Sequence, residues 1–117
     1  MTPTDCLMSR GVSMITAPAV NAGVVRSHEP ENVSQIRDVM NRRIEYVLAL
    51  AAHHGHEALV LGAWGCGVFA NDPREVAELF ASHLLGQGRY AKAFAEVVFA
   101  VLDRRGDIIR PFAEALG

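Results

Sequence analysis

The sequence is poor in cysteine: Cys6 and Cys66 are the only two in 117 residues, they lie far apart, and neither belongs to a CxxC pair. That excludes a disulfide framework and a paired-cysteine metal or redox motif, and it makes a reducing cytoplasm the expected compartment. Long apolar runs are missing as well. No stretch of about 20 apolar residues occurs and no basic n-region leads into a signal-type h-region, so neither a membrane partner nor export is expected. Basic charge is scarce and scattered: 11 Lys and Arg against 13 Asp and Glu give a net charge of -2, with nothing denser than Arg42-Arg43 and Arg104-Arg105. A protein that grips a nucleic-acid backbone carries a basic patch, so nucleic acid is not an expected partner. Internal repeats and low-complexity segments are also lacking. What is present is a chain 50% hydrophobic and 21% charged, the composition of one globular domain.

Residues 1–11 mix Pro3, polar residues and Met without a period, and are expected to be loosely ordered; the domain proper is 12–117. Val12 to Ala17 is β-branched and apolar and predicts a short strand that Pro18 ends. Asn21-Ala22-Gly23 predicts a turn. From Val33 onward, Ile36, Met40, Ile44, Val47, Leu48 and Ala51 fall at helical spacing, with Asn32 and Gln35 resembling a capping box and Gly55 closing the helix after His53-His54. Ala58 to Gly62 predicts a buried strand. Asp72 as N-cap, Pro73 at N1 and Glu75 at N3 open a second helix, whose inner face carries Val76, Leu79, Phe80, His83 and Leu84. Gly86 and Gly88 end it. Tyr90 to Ala95 predicts a helical turn, Val97 to Leu102 a central strand ending at Asp103, and Ile108, Ile109, Phe112 and Leu116 a last helix with Pro111 near its start. The alternation implies an α/β fold with a mainly parallel sheet and helices on its faces.

Chemistry is expected between Gly62 and Pro73, where a strand, a glycine-rich loop and a helix start follow in order. Glycines let backbone amides approach an oxygen closely, and a helix N-terminus favours negative charge, so phosphate or diphosphate is the natural guest. The plain alternative is a tight strand-to-helix turn with Trp64 and Phe69 plugging the core. Both stay open on the residues alone. Gly65-Cys66-Gly67-Val68-Phe69-Ala70 formally fits the G-x-G-x-x-G/A dinucleotide fingerprint, but the helix begins only after the motif. The acidic residue expected about 20 positions on has its best candidate in Asp103, well beyond that distance. A NAD-type oxidoreductase module is therefore a rival reading. His53, His54, His56 and Cys66 have no zinc spacing, so no metal is expected. Cys66 has no fixed partner to make it a nucleophile.

The segments from Ser13 to Gly23, Leu59 to Pro73 and Val97 to Asp103 resemble, in order and spacing, the C-terminal half of the microbial-type poly(ADP-ribose) glycohydrolases, which have a macrodomain fold. The resemblance runs from about Val12 to Phe112 and implies a partial, macrodomain-like three-layer α/β/α arrangement. It identifies Trp64-Gly65-Cys66-Gly67-Val68-Phe69 with the family's second phosphate-binding loop, which cradles the diphosphate of ADP-ribose. Gly65, Cys66, Gly67 and Val68 would then give backbone contacts, Phe69 would pack on the distal ribose, and Asn71 would follow as a neighbouring ligand residue.

Members of that family are about twice as long, and their catalytic signature, a triple-glycine loop followed by Gln-Glu-Glu, belongs to the N-terminal half. No Gly-Gly-Gly and no Glu-Glu occurs in these 117 residues. The expectation is a truncated, ADP-ribose-binding fragment with no catalytic residue of its own and no cofactor, its guest being ADP-ribose or an ADP-ribosylated protein. One part of a split, active glycohydrolase is the alternative. Either way strand edges should stand uncovered, which points to a homo-oligomer or a complementary N-terminal half as partner.

Overall fold

The computed structural model describes residues 12–103 and 105–117, so the loosely ordered stretch expected over 1–11 lies outside the described residues. Residues 12–20 form no strand or helix, which corrects the strand expected over Val12 to Ala17. From Ala17 to Val20 the backbone bonds to side chains rather than to a neighbouring strand. Trp64 Nε1 donates to the Ala17 carbonyl at 3.1 Å, Arg43 to Pro18 at 3.2 Å and Asn71 Nδ2 to Val20 at 2.7 Å, while the Val20 amide meets the Met40 sulfur at 3.4 Å. This segment is a strap laid across other elements.

The turn expected at Asn21 is a helix, α1 (Ala22–His28), because the Asn21 side chain caps it by accepting from the Val24 amide at 3.1 Å. A 3₁₀ turn over Pro30–Gln35 leads into α2 (Ile36–His53). The capping box expected there does not form: Gln35 donates to the Asn32 side chain at 3.4 Å and no side chain caps α2. Its buried stripe is Ile36, Met40, Ile44, Leu48 and Ala51, as the spacing predicts, with Val47 half-buried beside it. From the same helix the Asn41 side-chain oxygen meets His83 Nε2 at 2.8 Å.

Strand β1 (Ala58–Leu61) pairs in parallel with β2 (Glu96–Phe99), Leu59 opposite Val97 and Leu61 opposite Phe99. β2 stops short of Leu102 because its partner turns away at Gly62, and after the bond from the Ala100 amide to the Leu61 carbonyl at 2.7 Å no ladder remains. Between the strands, α3 (Pro73–Leu84) opens with Asp72 accepting from the Arg74 amide at 3.0 Å, but Glu75 turns to Arg37 at 3.5 Å rather than closing a box. Helix α4 (Ile109–Leu116) accepts Pro111 in its first turn, where a missing N–H leaves no helical bond unmade.

The fold is α/β, a small parallel sheet with helices packed on it. α3 and α4 cover the face of Leu59, Leu61, Val97 and Phe99: the Phe99 ring lies 5.2 Å from Phe80 and 5.5 Å from Phe112. The three-layer arrangement is thus filled on one side of the sheet. On the other side Val60 and Val98 are 75% and 45% exposed. Among the described residues no helix is long and apolar enough to cross a membrane.

Candidate functional site

The glycine-rich stretch leaves β1 at Leu61 and reaches α3 at Pro73, so the sheet fixes one end and a capped helix the other. Within it the chain folds on itself: Cys66 N donates to Ala63 O at 3.0 Å, Ala70 N to Gly67 O at 2.9 Å and Asn71 N to Gly65 O at 2.9 Å. Three successive amides, those of Gly67, Val68 and Phe69, donate to no acceptor among the described residues. Successive amides left free in a turn form the concave donor set that binds anions. They stand on open surface, since Val68 is 95% exposed and nothing lies within 4 Å of where a Gly67 Cβ would sit. A groove of about 320 Å³ runs beside the loop's entry, lined by Ile15, Ala17, Val60, Leu61, Gly62 and Trp64 among others.

The two framing glycines differ. Gly65 has φ +75°, and a Cβ there would lie 2.6 Å from Asn71 Nδ2 and 2.7 Å from Ala19 Cβ, so both conformation and space demand glycine. Gly67 has no left-handed φ and free space. Asn71 is buried, 4% exposed, and its amide donates to Val20 O at 2.7 Å and Gly65 O at 2.9 Å, which ties strap to loop. At the exit Ala70 sits at φ +58°, a left-handed conformation costing about 1–2 kcal/mol for a residue with a Cβ. The Gly23 amide bonds Phe69 O and Arg26 Nη1 bonds Ala70 O, both at 3.0 Å.

No protein-family model matches the chain, and no curated protein does. Solved structures do. The poly(ADP-ribose) glycohydrolase of Deinococcus radiodurans in complex with ADP-ribose superposes with a TM-score of 0.82 at 43% identity, over 86% of this chain and 40% of that one. The same enzyme in its apo form gives 0.81 at 43%, over 86% and 41%. The poly(ADP-ribose) glycohydrolase of Thermomonospora curvata gives 0.78 at 47%, over 86% and 36%. The chain is a relative of the microbial poly(ADP-ribose) glycohydrolases. It spans about two fifths of the length of the solved glycohydrolases it matches.

In this glycohydrolase relative, Gly65, Cys66, Gly67, Val68, Phe69 and Asn71 all fall on or beside the one loop, with different surroundings. Cys66 is buried, and burial together with the Asp72 carboxylate pushes its thiol up to about 11, so it stays protonated and is no nucleophile at neutral pH. Phe69 is half-buried against the core. The N-terminus of α3 is already occupied by the Asp72 carboxylate, so an anion at this loop rests on the free amides rather than on the helix end. Asp103, the acid the dinucleotide reading needs, accepts from the amides of Arg105, Ile108 and Ile109 at 3.2, 2.6 and 3.0 Å, which holds its carboxyl below the usual range and ties it to the start of α4. Among the described residues no three His, Cys, Asp or Glu gather where a metal would sit. Sequence reasoning missed Ala19, Gly23 and Arg26 as parts of the site. Their link to the loop is tertiary, and no local pattern signals it.

Proposed function

We propose that this chain binds ADP-ribose through the loop Gly65 to Asn71, as one non-catalytic wall of a macrodomain-like site. The observation that carries the reading is the exposed run of free amides at Gly67, Val68 and Phe69, on a loop whose shape is held from both sides. The diphosphate oxygens take those amides, Gly65 and Cys66 shape the turn that presents them through their own backbone bonds, and the half-buried Phe69 ring offers the distal ribose a flat apolar surface. Asn71 serves by fixing the loop, because its side-chain N–H groups are engaged inward. Affinity is weak, since an open wall buries little of a ligand's surface.

The 117 residues hold no Gly-Gly-Gly and no adjacent pair of glutamates, the signature to which the family's glycosidic cleavage belongs. Without a carboxyl group to protonate the leaving group, general acid catalysis worth about 10²–10⁴ in rate is lost. The chain by itself then binds without cleaving. A second reading is favoured by the two-fifths coverage and by the exposed sheet face at Val60 and Val98. In it the chain is one part of a working glycohydrolase, completed by a complementary N-terminal half on that face; a second copy of the chain is the competing occupant.

Calorimetric titration of the chain with ADP-ribose, AMP and NAD tests the binding reading. ADP-ribose is expected to bind best and Gly67→Val to abolish its binding while the fold survives, because Gly67 has room for a side chain until a ligand arrives. Tighter binding of NAD, or unchanged affinity in Gly67→Val, overturns it. Release of ADP-ribose from poly(ADP-ribose), abolished by a substitution within this chain, overturns the non-catalytic part.

A further inference from the structure

The exit of the loop holds an unusual arrangement. Ala70 is the one non-glycine residue with positive φ among the described residues, at +58°. An alanine adopts that conformation at a cost, and something outside the loop has to favour it. Two bonds from α1 meet this point. The Gly23 amide donates to Phe69 O at 3.0 Å, and Arg26 Nη1 donates to Ala70 O at 3.0 Å. Arg26 is exposed and, unlike Arg37, Arg74 and Arg89, has no carboxylate partner among the described residues. The bond to Ala70 is the tertiary contact that its guanidinium makes.

We propose that Arg26 is a positioning residue for the loop: through the Ala70 carbonyl it holds the left-handed turn that presents the Gly67, Val68 and Phe69 amides together. The geometry follows from the chain. The Ala70 amide closes back on Gly67 O at 2.9 Å, so the orientation of residue 70 sets the orientation of the two amides enclosed between them, Val68 and Phe69, with the Gly67 amide just before the turn. When the guanidinium is removed, Ala70 relaxes toward ordinary φ, the closing bond loosens and the amides diverge. A protein in which the competent turn is only partly populated binds its ligand more weakly in proportion. Gly23 assists from the same helix through its backbone amide, which donates to Phe69 O at 3.0 Å. Helix α1, which a sequence reading takes for a turn, thus clamps the site.

The effect on affinity rests on the ADP-ribose reading; the effect on loop geometry does not. The test therefore measures both in the 117-residue chain. Amide chemical shifts and hydrogen exchange of Gly67, Val68 and Phe69 are compared between wild type and Arg26→Ala without ligand, and ADP-ribose affinity is then titrated. The expected result is displaced, faster-exchanging amides with an unchanged core, and affinity lower by about three- to tenfold. Adding Ala70→Gly to Arg26→Ala should recover most of the affinity, because glycine takes positive φ without cost. Arg26→Lys, which keeps a donor but not the fork, should fall between; should Arg26→Ala fail to fold, Arg26→Lys and Arg26→Gln carry the same comparison. Unmoved amides with full affinity overturn the proposal. Lost affinity that Ala70→Gly does not restore overturns it as well, since Arg26 would then touch the ligand itself. Displaced amides in a protein whose wild type binds no ADP-ribose support the positioning role and defeat the ligand reading instead.

Discussion

Gly65 and Gly67 flank the same cysteine, yet their replacement by alanine should have opposite consequences for folding. In Gly65→Ala the new Cβ is forced into φ +75°, at about 1–2 kcal/mol. It also arrives 2.6 Å from Asn71 Nδ2 and 2.7 Å from Ala19 Cβ. Relieving that overlap means moving the buried amide that joins Val20 to the loop, an overpacking cost of about 1–3 kcal/mol. The sum, about 2–5 kcal/mol, is a large share of the roughly 5–15 kcal/mol that keeps a domain folded. At about 4–8 °C per kcal/mol for a domain near this size, the midpoint of thermal unfolding should fall by ~10 °C or more. Gly67→Ala meets nothing within 4 Å and no left-handed φ, so its stability should stay within about 0.5 kcal/mol or rise slightly through a less flexible unfolded chain. Urea unfolding of the three proteins followed by circular dichroism decides the matter. If Gly65→Ala unfolds within about 0.5 kcal/mol of wild type, or if Gly67→Ala loses as much as Gly65→Ala, the described frame of the loop is wrong.

Asn71→Ala should cost about 1–3 kcal/mol, because Val20 O loses its donor while Gly65 O keeps the Asn71 backbone amide. Asn71→Asp should cost more at neutral pH and regain part of the loss on acidification, when a protonated carboxyl can donate again; denaturation at two pH values reads this. The Cys66 thiol, raised to about 11 by burial and Asp72, favours folding below its unfolded value of about 8.5, and that contribution is lost as the pH climbs through the folded value. Cys66→Ser should accordingly flatten part of the alkaline decline in stability, and site-resolved alkylation of Cys66 near pH 8 should be slow. Asp103, held low by the amides at the start of α4, contributes stability above the ordinary carboxylate value that is lost as the pH falls through its lowered one. Asp103→Asn should remove that acid-side slope in a pH series of unfolding curves.

Local rules made α2 and α3 readable. The buried stripe from Ile36 to Ala51 and the Asp72-Pro73 start each depend on residues within a few positions of one another. Asn21 was ambiguous for a physical reason: the side-chain acceptor that opens a turn also caps a helix, and only the following geometry separates them. The strap looked like a strand because its composition is that of one. What decides against pairing is contact with Trp64 and Asn71, 47 and 51 positions away, which no local window contains. The end of β2 was set by its partner's departure at Gly62, again outside its own sequence. The six candidate site residues do cluster on one loop, but their parts were not legible. Gly65 and Gly67 differ only in φ and neighbours, and Asn71 turns inward where its place beside the motif suggests a ligand contact. The clamp by Arg26 needs α1 to be a helix before it can be seen at all.

The most direct test of the loop as an ADP-ribose site is a titration of the ¹⁵N-labelled chain with ADP-ribose, followed residue by residue at the backbone amides. The amides of Gly67, Val68 and Phe69, free of protein acceptors in the structure, are expected to move furthest and saturate together, with AMP producing a weaker version of the same pattern. Shifts centred elsewhere, such as along the exposed face of Val60 and Val98, or a larger response to NAD than to ADP-ribose, would contradict it.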